Sequence, residues 1–106
     1  MVTLEDFKKL EIIIAQIKEV QEHPNADRLY VLKVDTGKEI KQIIAGIRLT
    51  YTKEQLLDRR VVVINNLQSA VIRGEESNGM LLAANDGQVL SILGTDREMP
   101  LGSIIR

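Results

Sequence analysis

The amino-acid sequence predicts a mainly β protein, a small five-stranded barrel with short helices and a C-terminal β extension. Short runs rich in Ile and Val recur along the chain, as in buried strands. Clusters of Gly, Pro, Asn and Asp separate these runs and mark turns. We assign the 106 residues to one domain, with the barrel over about residues 11–85 and the extension over about residues 86–106.

The first element is a short helix. Thr3 suits the N-cap position, and two acids follow it in the first turn, where negative charge is favourable. Leu4 and Phe7, with Leu10 next in the series, recur at helical spacing and would lie on one side. We expect a short helix that packs on the body of the protein.

Two strands joined by a hairpin connection follow. The run from Glu11 to Gln21 is rich in Ile and Val and predicts a strand that is buried on both faces at its start. His23 to Asp27 contain Pro, Asn and Asp and form the turn. The second strand covers Tyr30 to Asp35, with Leu32 and Val34 directed inward.

Three more strands and a helix complete the barrel. The third strand covers Ile40 to Ile47 and includes Gly46, where another group can approach the backbone closely. Thr52 to Gln55 match a capping box and predict a helix of one or two turns. The last two strands are Arg60 to Asn65 and Gly79 to Ala84. A helix between the third and fourth strands favours an oligonucleotide-binding barrel.

The tail is strand-like in two places, Val89 to Leu93 and Ile104-Ile105, and forms the β extension.

A long connection precedes the fifth strand. It runs from Asn66 into Met80 to Ala84 and holds an Arg-Gly step, a Ser and a second Gly. Long loops on compact barrels tend to carry function, so we expect the binding site there.

Composition excludes several classes of protein. The chain has no cysteine, which removes disulfides and thiolate metal ligands. The single histidine, His23, has no partners at ligand spacing, and we expect it to serve the turn. No acid/base pair or phosphate-cradling loop is visible, so we expect no enzyme and no cofactor. No run approaches the length of a membrane helix, and we expect a soluble, cytoplasmic protein.

The charge distribution places any basic patch in the middle of the chain. The formal net charge is -1, but residues 1–37, 38–64 and 65–106 carry -2, +3 and -2. A surface of mixed sign with no role in binding remains the alternative.

Three motifs in order resemble one family. They are His23-Pro24-Asn25-Ala26-Asp27-Arg28-Leu29-Tyr30, Ile44-Ala45-Gly46-Ile47, and Arg73-Gly74-x-x-Ser77-x-Gly79-Met80. Together they resemble the tRNA-binding domain, which occurs as the C-terminal part or β subunit of methionyl-tRNA synthetases, as stand-alone bacterial tRNA-binding proteins, and in endothelial-monocyte-activating-polypeptide-type cofactors. The resemblance implies an oligonucleotide-binding barrel that binds tRNA without catalysis. It also implies a homodimer and the catalytic subunit of methionyl-tRNA synthetase as a partner.

The resemblance also implies a set of contact residues. The matching positions are Lys41, Gly46, Asn66, Arg73, Ser77, Gly79 and Met80. We add Gln68, because the family often has Lys-Pro where this chain has Gln68-Ser69 and a basic residue where it has Val71. The two missing cations predict weaker or more partner-dependent binding, since each phosphate contact contributes affinity.

Each contact residue also has a structural alternative. Arg73 can be a rim charge, Ser77 can cap the turn before the fifth strand, and Met80 at a strand start can belong to the core. Gly74 and Gly79 fit a conformational role. With only three aromatic residues, the protein is better suited to the shape and backbone of a folded RNA than to unstacked bases.

The function predicted from the sequence is a non-catalytic tRNA-binding module of methionyl-tRNA synthetase that adds largely sequence-independent affinity. The short chain and Met1 favour a separate subunit, although an excised domain would look the same. The alternative is a protein-interaction or chaperone-like dimerisation module with weak RNA affinity. The acidic pI of about 5.8 favours this alternative.

Overall fold

The computed structural model describes all residues, 1–106, and is mainly β. It contains two short helices and nine strands. In chain order the elements are α1 Leu4–Lys8, β1 Ile12–Glu22, β2 Tyr30–Asp35, β3 Ile40–Ala45, α2 Lys53–Leu56, β4 Arg60–Ile64, β5 Ala70–Ile72, β6 Glu75–Ser77, β7 Met80–Leu81, β8 Ala83–Asn85 and β9 Leu90–Ile92.

The main sheet has five antiparallel strands in the order β3-β2-β1-β4-β7. Its central strand, β1, uses its first half, Ile12 to Gln16, to pair with β4. Its second half, Gln16 to Glu22, pairs with β2, and a bulge shifts the register between Ile17 and Glu19. A bulge bends a strand and increases its twist, which allows β1 to serve both sides of a barrel.

The barrel is closed between β3 and the chain at Glu76 to Asn78, without a regular ladder. Asn78 N–H donates to the Gln42 carbonyl (2.8 Å), and the Gln42 side-chain amide donates to the Glu76 carbonyl (2.8 Å). Ile44 N–H donates to Ser77 Oγ (3.0 Å). These contacts complete an oligonucleotide-binding-type barrel, as the sequence predicts.

Alternate residues of the strands fill the barrel. Leu32 and Val34 are fully buried, which confirms the predicted inward face of β2. Leu56, in α2, is also fully buried, and both halves of the predicted capping box form between Thr52 and Gln55. The core residues are Ile13, Ala15, Ile17, Tyr30, Leu32, Val34, Ile43, Ala45, Ile47, Leu56, Val61, Val63, Leu81 and Ile92.

The first helix packs on the body of the protein, as predicted, but through one side chain only. Thr3 and Asp6 form a capping box at its start. Only Phe7 packs, against a small second cluster on the outside of the barrel. Leu4 is 67% exposed and Leu10 is 40% exposed, so neither contributes as much as Phe7 to this packing. A helix of five residues is too short to cover the sheet with more than one side chain.

The region predicted as a long loop and one fifth strand contains more structure. β5 and β6 pair as a hairpin within the loop. The predicted strand from Gly79 to Ala84 is split, because β7 pairs with β4 whereas β8 pairs with β9. The hairpin of β8 and β9 spans residue 85, which is the predicted boundary between barrel and extension. Ile92, in β9, belongs to the barrel core.

The C-terminal residues extend the sheet by pairing with the first half of β1. They lie on the edge of β1 opposite β4, which β2 occupies only along the second half of the strand. Ile14 N–H donates to the Ser103 carbonyl (3.0 Å), and Ile105 N–H donates to the Ile12 carbonyl (2.9 Å). Ile104 forms a bridge to Ile13. The predicted C-terminal β extension is therefore present. Neither helix is long and apolar enough to cross a membrane.

Candidate nucleic-acid interface

The hairpin of β5 and β6 carries an arginine at its tip. The two turn residues, Arg73 and Gly74, both have positive φ, at 54° and 92°. Two such residues define a type I′ turn, whose twist matches the flanking strands. The backbone therefore holds Arg73 at the exposed end of the hairpin.

His23 joins this hairpin to the loop between β1 and β2. The imidazole is 3% exposed. Its Nδ1 accepts a hydrogen bond from Asn25 N–H (3.0 Å), which assigns the proton to Nε2. Nε2 then donates to the Ile72 carbonyl (2.9 Å). The predicted turn role of His23 is correct, and the long-range bond to the hairpin is an additional function that sequence reasoning missed.

Asn25 adds two more links between the same loop and hairpin. Its side-chain amide donates to the Arg73 carbonyl (3.3 Å), and Arg73 Nη2 donates to the Asn25 carbonyl (3.3 Å). In oligonucleotide-binding barrels, the loops after the first and fourth strands are those that hold the ligand. Here these two loops are joined into one surface.

An open groove of about 340 Å³ lies where the two loops meet. Ala26, Asp27, Arg28, Leu29 and Arg73 line it. Neither arginine has a carboxylate within 4.0 Å. Sequence reasoning did not select Arg28, although it stands inside the first of the three motifs. We name this groove the arginine groove.

A second groove brings together Gly46 and Met80. It has a volume of about 240 Å³, and seven of its nine lining residues are hydrophobic. Met80 is 51% exposed, which removes the alternative that it belongs to the core. A Cβ added at Gly46 would lie 3.7 Å from the nearest atom, in the Leu29 side chain. The fold itself therefore leaves room for a Cβ at Gly46.

Ser77 and Gly79 serve the closure of the barrel. Ser77 is 5% exposed, and its hydroxyl accepts from Ile44 N–H and donates to the Gly79 carbonyl (3.1 Å). Gly79 has φ 148°, and a Cβ there would lie 2.8 Å from the Ile64 carbonyl oxygen. Because the Ser77 hydroxyl is buried and bonded on both sides, these contacts favour the structural alternative for Ser77, and its contact with tRNA stays a prediction.

Lys41 and Asn66 lie near the N-terminal end of β1. Lys41 Nζ donates to the Asn65 carbonyl (2.7 Å). The Asn66 amide accepts from Glu11 N–H (2.8 Å) and donates to the Lys9 carbonyl (2.8 Å). Asn66 therefore orders the turn after β4, whereas the lysine ammonium keeps donors for a ligand.

The two positions that lack the family's cations face solvent. Gln68 is exposed, and Val71 is 73% exposed on the hairpin. Because both positions are exposed, either one can accommodate a basic residue.

Three of the six cations of residues 38–64 pair with acids from elsewhere in the chain. Arg48 and Lys53 both pair with Glu22, and Arg60 pairs with Glu98. The two arginines of the arginine groove lie outside this segment. Lys38, Lys41 and Arg59 of the same segment have no carboxylate within 4.0 Å, so the basic patch in the middle third stays a prediction, and the arginine groove is a second group of unpaired cations outside it.

These features define a small oligonucleotide-binding-type barrel with two joined loops, unpaired arginines and one apolar groove. The family model described as "Putative tRNA binding domain" matches residues 12–104, and the chain belongs to this family.

Sequence relatives include the methionine–tRNA ligases of Thermococcus onnurineus and Pyrococcus furiosus, 51% and 50% identical over 105 residues. Each match covers 99% of this chain but only 14% of the ligase.

Solved structures give the same fold. The C-terminal domain of Plasmodium vivax p43 is 36% identical, with a TM-score of 0.85 over 93% of this chain and 61% of that one. The CsaA chaperone protein of Picrophilus torridus is 28% identical, with a TM-score of 0.92 over the whole of both chains.

Proposed function

We propose that this protein is a non-catalytic module that binds tRNA through the surface formed by its two joined loops. The observation that carries the proposal is the family match over residues 12–104, which spans every strand of the barrel. The unpaired Arg28 and Arg73 at the meeting point of the loops support it, since phosphate contacts supply most of the sequence-independent affinity for nucleic acids.

The module recognises the backbone and shape of a folded RNA more than its bases. The Tyr30 hydroxyl is already bonded to the Tyr51 carbonyl (2.7 Å), and its ring is buried. The Tyr51 hydroxyl accepts from Ile92 N–H (3.0 Å), and Arg59 lies over its ring. Neither tyrosine is a free platform for base stacking, on which single-strand binding depends.

The partner in this proposal is the catalytic part of methionyl-tRNA synthetase, in the cytoplasm. The ligase relatives support it, because this chain aligns with 14% of their length at about half identity. The module would raise the concentration of tRNA at the catalytic part, whether joined to it or acting as a separate β subunit.

The proposal includes a homodimer through the C-terminal extension and α1. Ile104 and Leu4 are large apolar side chains that are 71% and 67% exposed, so both are available to the apolar part of an interface. A dimer would bury them and present two RNA-binding surfaces. Light scattering after gel filtration gives the mass directly. A mass of one chain would remove the dimer from the proposal and leave the RNA-binding surface unchanged.

A gel-shift titration with total tRNA tests the proposal. The full chain is titrated at low and at physiological ionic strength. We expect retarded tRNA at low salt and a steep loss of affinity as salt rises, because counterions compete for the phosphates. No retardation in dilute buffer, at high protein concentration and with the oligomeric state intact, would contradict the function.

The second candidate is a protein-interaction module. The apolar groove of Gly46 and Met80 and the likeness to a protein titled a CsaA chaperone favour it. Apolar docking depends little on salt, so binding to a protein partner that persists at high ionic strength, without tRNA binding, would select this candidate.

A further inference from the structure

We propose that the arginine groove is a subsite for a single phosphodiester of RNA, held jointly by Arg28 and Arg73. This inference rests on the proposed function and deepens it. It adds Arg28, which comes from the other loop, and it assigns both cations to one phosphate.

The charges of the groove suit an anion. Arg28 and Arg73 are exposed, and neither has a carboxylate within 4.0 Å. Asp27 is the one acid that lines the groove, which leaves a net positive charge there. Elsewhere in the chain, Arg48, Arg60 and Lys53 are neutralised by glutamates. Arg73 Nη2 donates to the Asn25 carbonyl, so the bidentate contact that phosphates favour is open to the Arg28 guanidinium and to the remaining N–H groups of Arg73.

The backbone at Arg73 is unfavourable for an arginine. At φ 54° it occupies the first position of a type I′ turn, where Asn, Asp and Gly are preferred. Residues held in such conformations cluster at ligand sites, since local strain persists only where the surroundings fix it. Here two hydrogen bonds with Asn25 and the bond from His23 to Ile72 fix the turn.

The two arginines approach the groove from elements far apart in sequence. Arg28 follows the turn after β1, and Arg73 is at the tip of the β5–β6 hairpin. The hydrogen bonds between the loops join protein atoms only, so no ligand is needed to hold the loops together. The groove is therefore preorganised, and less ordering of the protein opposes binding.

Substitutions that remove one charge without disturbing the fold test the subsite. Arg73→Asn places a residue that tolerates positive φ in the turn, and Arg28→Gln shortens and neutralises an exposed side chain. Each is compared with Arg97→Gln, which removes the same charge from another exposed arginine without an acidic partner. Binding to total tRNA is measured across a salt series, and thermal unfolding is measured on every variant.

We expect Arg28→Gln and Arg73→Asn each to weaken tRNA binding about tenfold and to reduce the slope of log K against log salt by about one. Arg97→Gln should stay within about twofold of the wild type, as expected for a screened charge. Thermal unfolding of Arg73→Asn should occur at the same or a higher temperature, because asparagine relieves the turn.

The double variant tests whether one phosphate is shared. Because both side chains would hold the same group, the loss in the double variant should be clearly smaller than the product of the two single losses. Losses that simply multiply would overturn a shared phosphate. tRNA stripped of terminal phosphates should bind as well as untreated tRNA, and a loss of binding would assign the groove to a terminal phosphate instead.

The outcomes separate the subsite from the function. If wild-type protein binds tRNA but Arg28→Gln and Arg73→Asn behave like Arg97→Gln, the subsite is wrong and the tRNA-binding function stands. If the wild type leaves tRNA unretarded, both fail.

Discussion

The Nε2 of His23 donates a hydrogen bond to the carbonyl of Ile72, 2.9 Å away and 49 positions along the chain. This bond joins the loop after β1 to the hairpin that follows β4. Because the same imidazole accepts from Asn25 N–H, one buried side chain orders the turn and positions the hairpin. Precise placement of a binding loop on a rigid barrel reduces the ordering cost of ligand binding.

His23→Asn should release the hairpin while keeping the turn. The asparagine oxygen can replace Nδ1 as the acceptor for Asn25 N–H, but the side chain is too short to reach the Ile72 carbonyl. Leaving that carbonyl without its donor should lower the free energy of unfolding by about 1–3 kcal/mol. Hydrogen exchange should become faster across residues 70–77.

His23→Gln is the matched comparison. Its amide can extend toward Ile72 and donate as Nε2 does. Exchange at residues 70–77 should then remain slower than in His23→Asn. Equal exchange rates in both variants and in the wild type would show that the His23 bond does not hold the hairpin.

Gly79→Ala should destabilise the barrel through two separate effects. The residue has φ 148°, and the added Cβ would meet the Ile64 carbonyl oxygen at 2.8 Å. Because the obstructing atom belongs to the backbone of β4, the strand pair must shift. We expect a loss of about 2–4 kcal/mol in the free energy of unfolding, measured by urea denaturation.

Substitutions at two other glycines distinguish backbone strain from steric overlap. Gly87 has φ 94° and no atom within 4 Å of an added Cβ, so Gly87→Ala should cost only about 1 kcal/mol. Gly94 has neither a positive φ nor an atom within 4 Å of an added Cβ, so Gly94→Ala should be neutral or slightly stabilising. If all three substitutions cost the same, contact with Ile64 would not explain the glycine at position 79.

The barrel strands could be predicted because burial of one face produces a pattern of apolar residues within each strand separately. Leu32 and Val34 alternate with polar neighbours, and the capping box at Thr52 follows from local chemistry. The β5–β6 hairpin was not predicted. Its strands have three residues each, and its turn is Arg-Gly instead of the favoured Asn-Gly. Contacts with the β1–β2 loop hold it, and no local pattern encodes them.

The candidate site was predicted only in part for the same reason. Motif matching selected Arg73 but also Ser77, whose hydroxyl is buried in the closure between β3 and β6. It did not select Arg28, which lines the same groove as Arg73 only because the fold brings the two loops together. A motif shows which residue types occur together, whereas exposure and pairing depend on the closed barrel.

Asp86 should make the protein less stable in acid. Hydrogen bonds from the backbone N–H groups of Val89 (2.7 Å) and Gln88 (2.9 Å) lower the pKa of this carboxyl below 3.8. A depressed folded-state pKa contributes stability above the unfolded-state value, and the contribution is lost as pH falls through the folded-state value. The loss therefore begins near pH 4 and continues below it.

Asp86→Asn isolates this contribution. Its side-chain oxygen can still accept both hydrogen bonds, but it does not titrate. Urea unfolding at pH 7 and at pH 3 should show a smaller difference between the two pH values in Asp86→Asn than in the wild type. The same acid dependence in both proteins would assign the loss to other carboxyls, such as Asp6, whose pKa the Thr3 backbone N–H also lowers.

Gln68→Lys should restore one of the cations that the resemblance leads us to expect. Gln68 is exposed at the start of the segment that leads into the hairpin, so a lysine there can extend into solvent without loss of stability. If this surface faces tRNA, the new ammonium adds one phosphate contact. Affinity for total tRNA at low salt should rise several-fold, and the slope of log K against log salt should steepen by about 0.7–0.9.

Gln88→Lys is the control, because it adds the same charge at an exposed position in the turn between β8 and β9. General attraction between a more positive protein and RNA would raise affinity equally in both variants. A gain confined to Gln68→Lys places the RNA along the segment between β4 and β5, beside the hairpin that carries Arg73. Equal gains, or none, would mean that this segment does not contact the RNA.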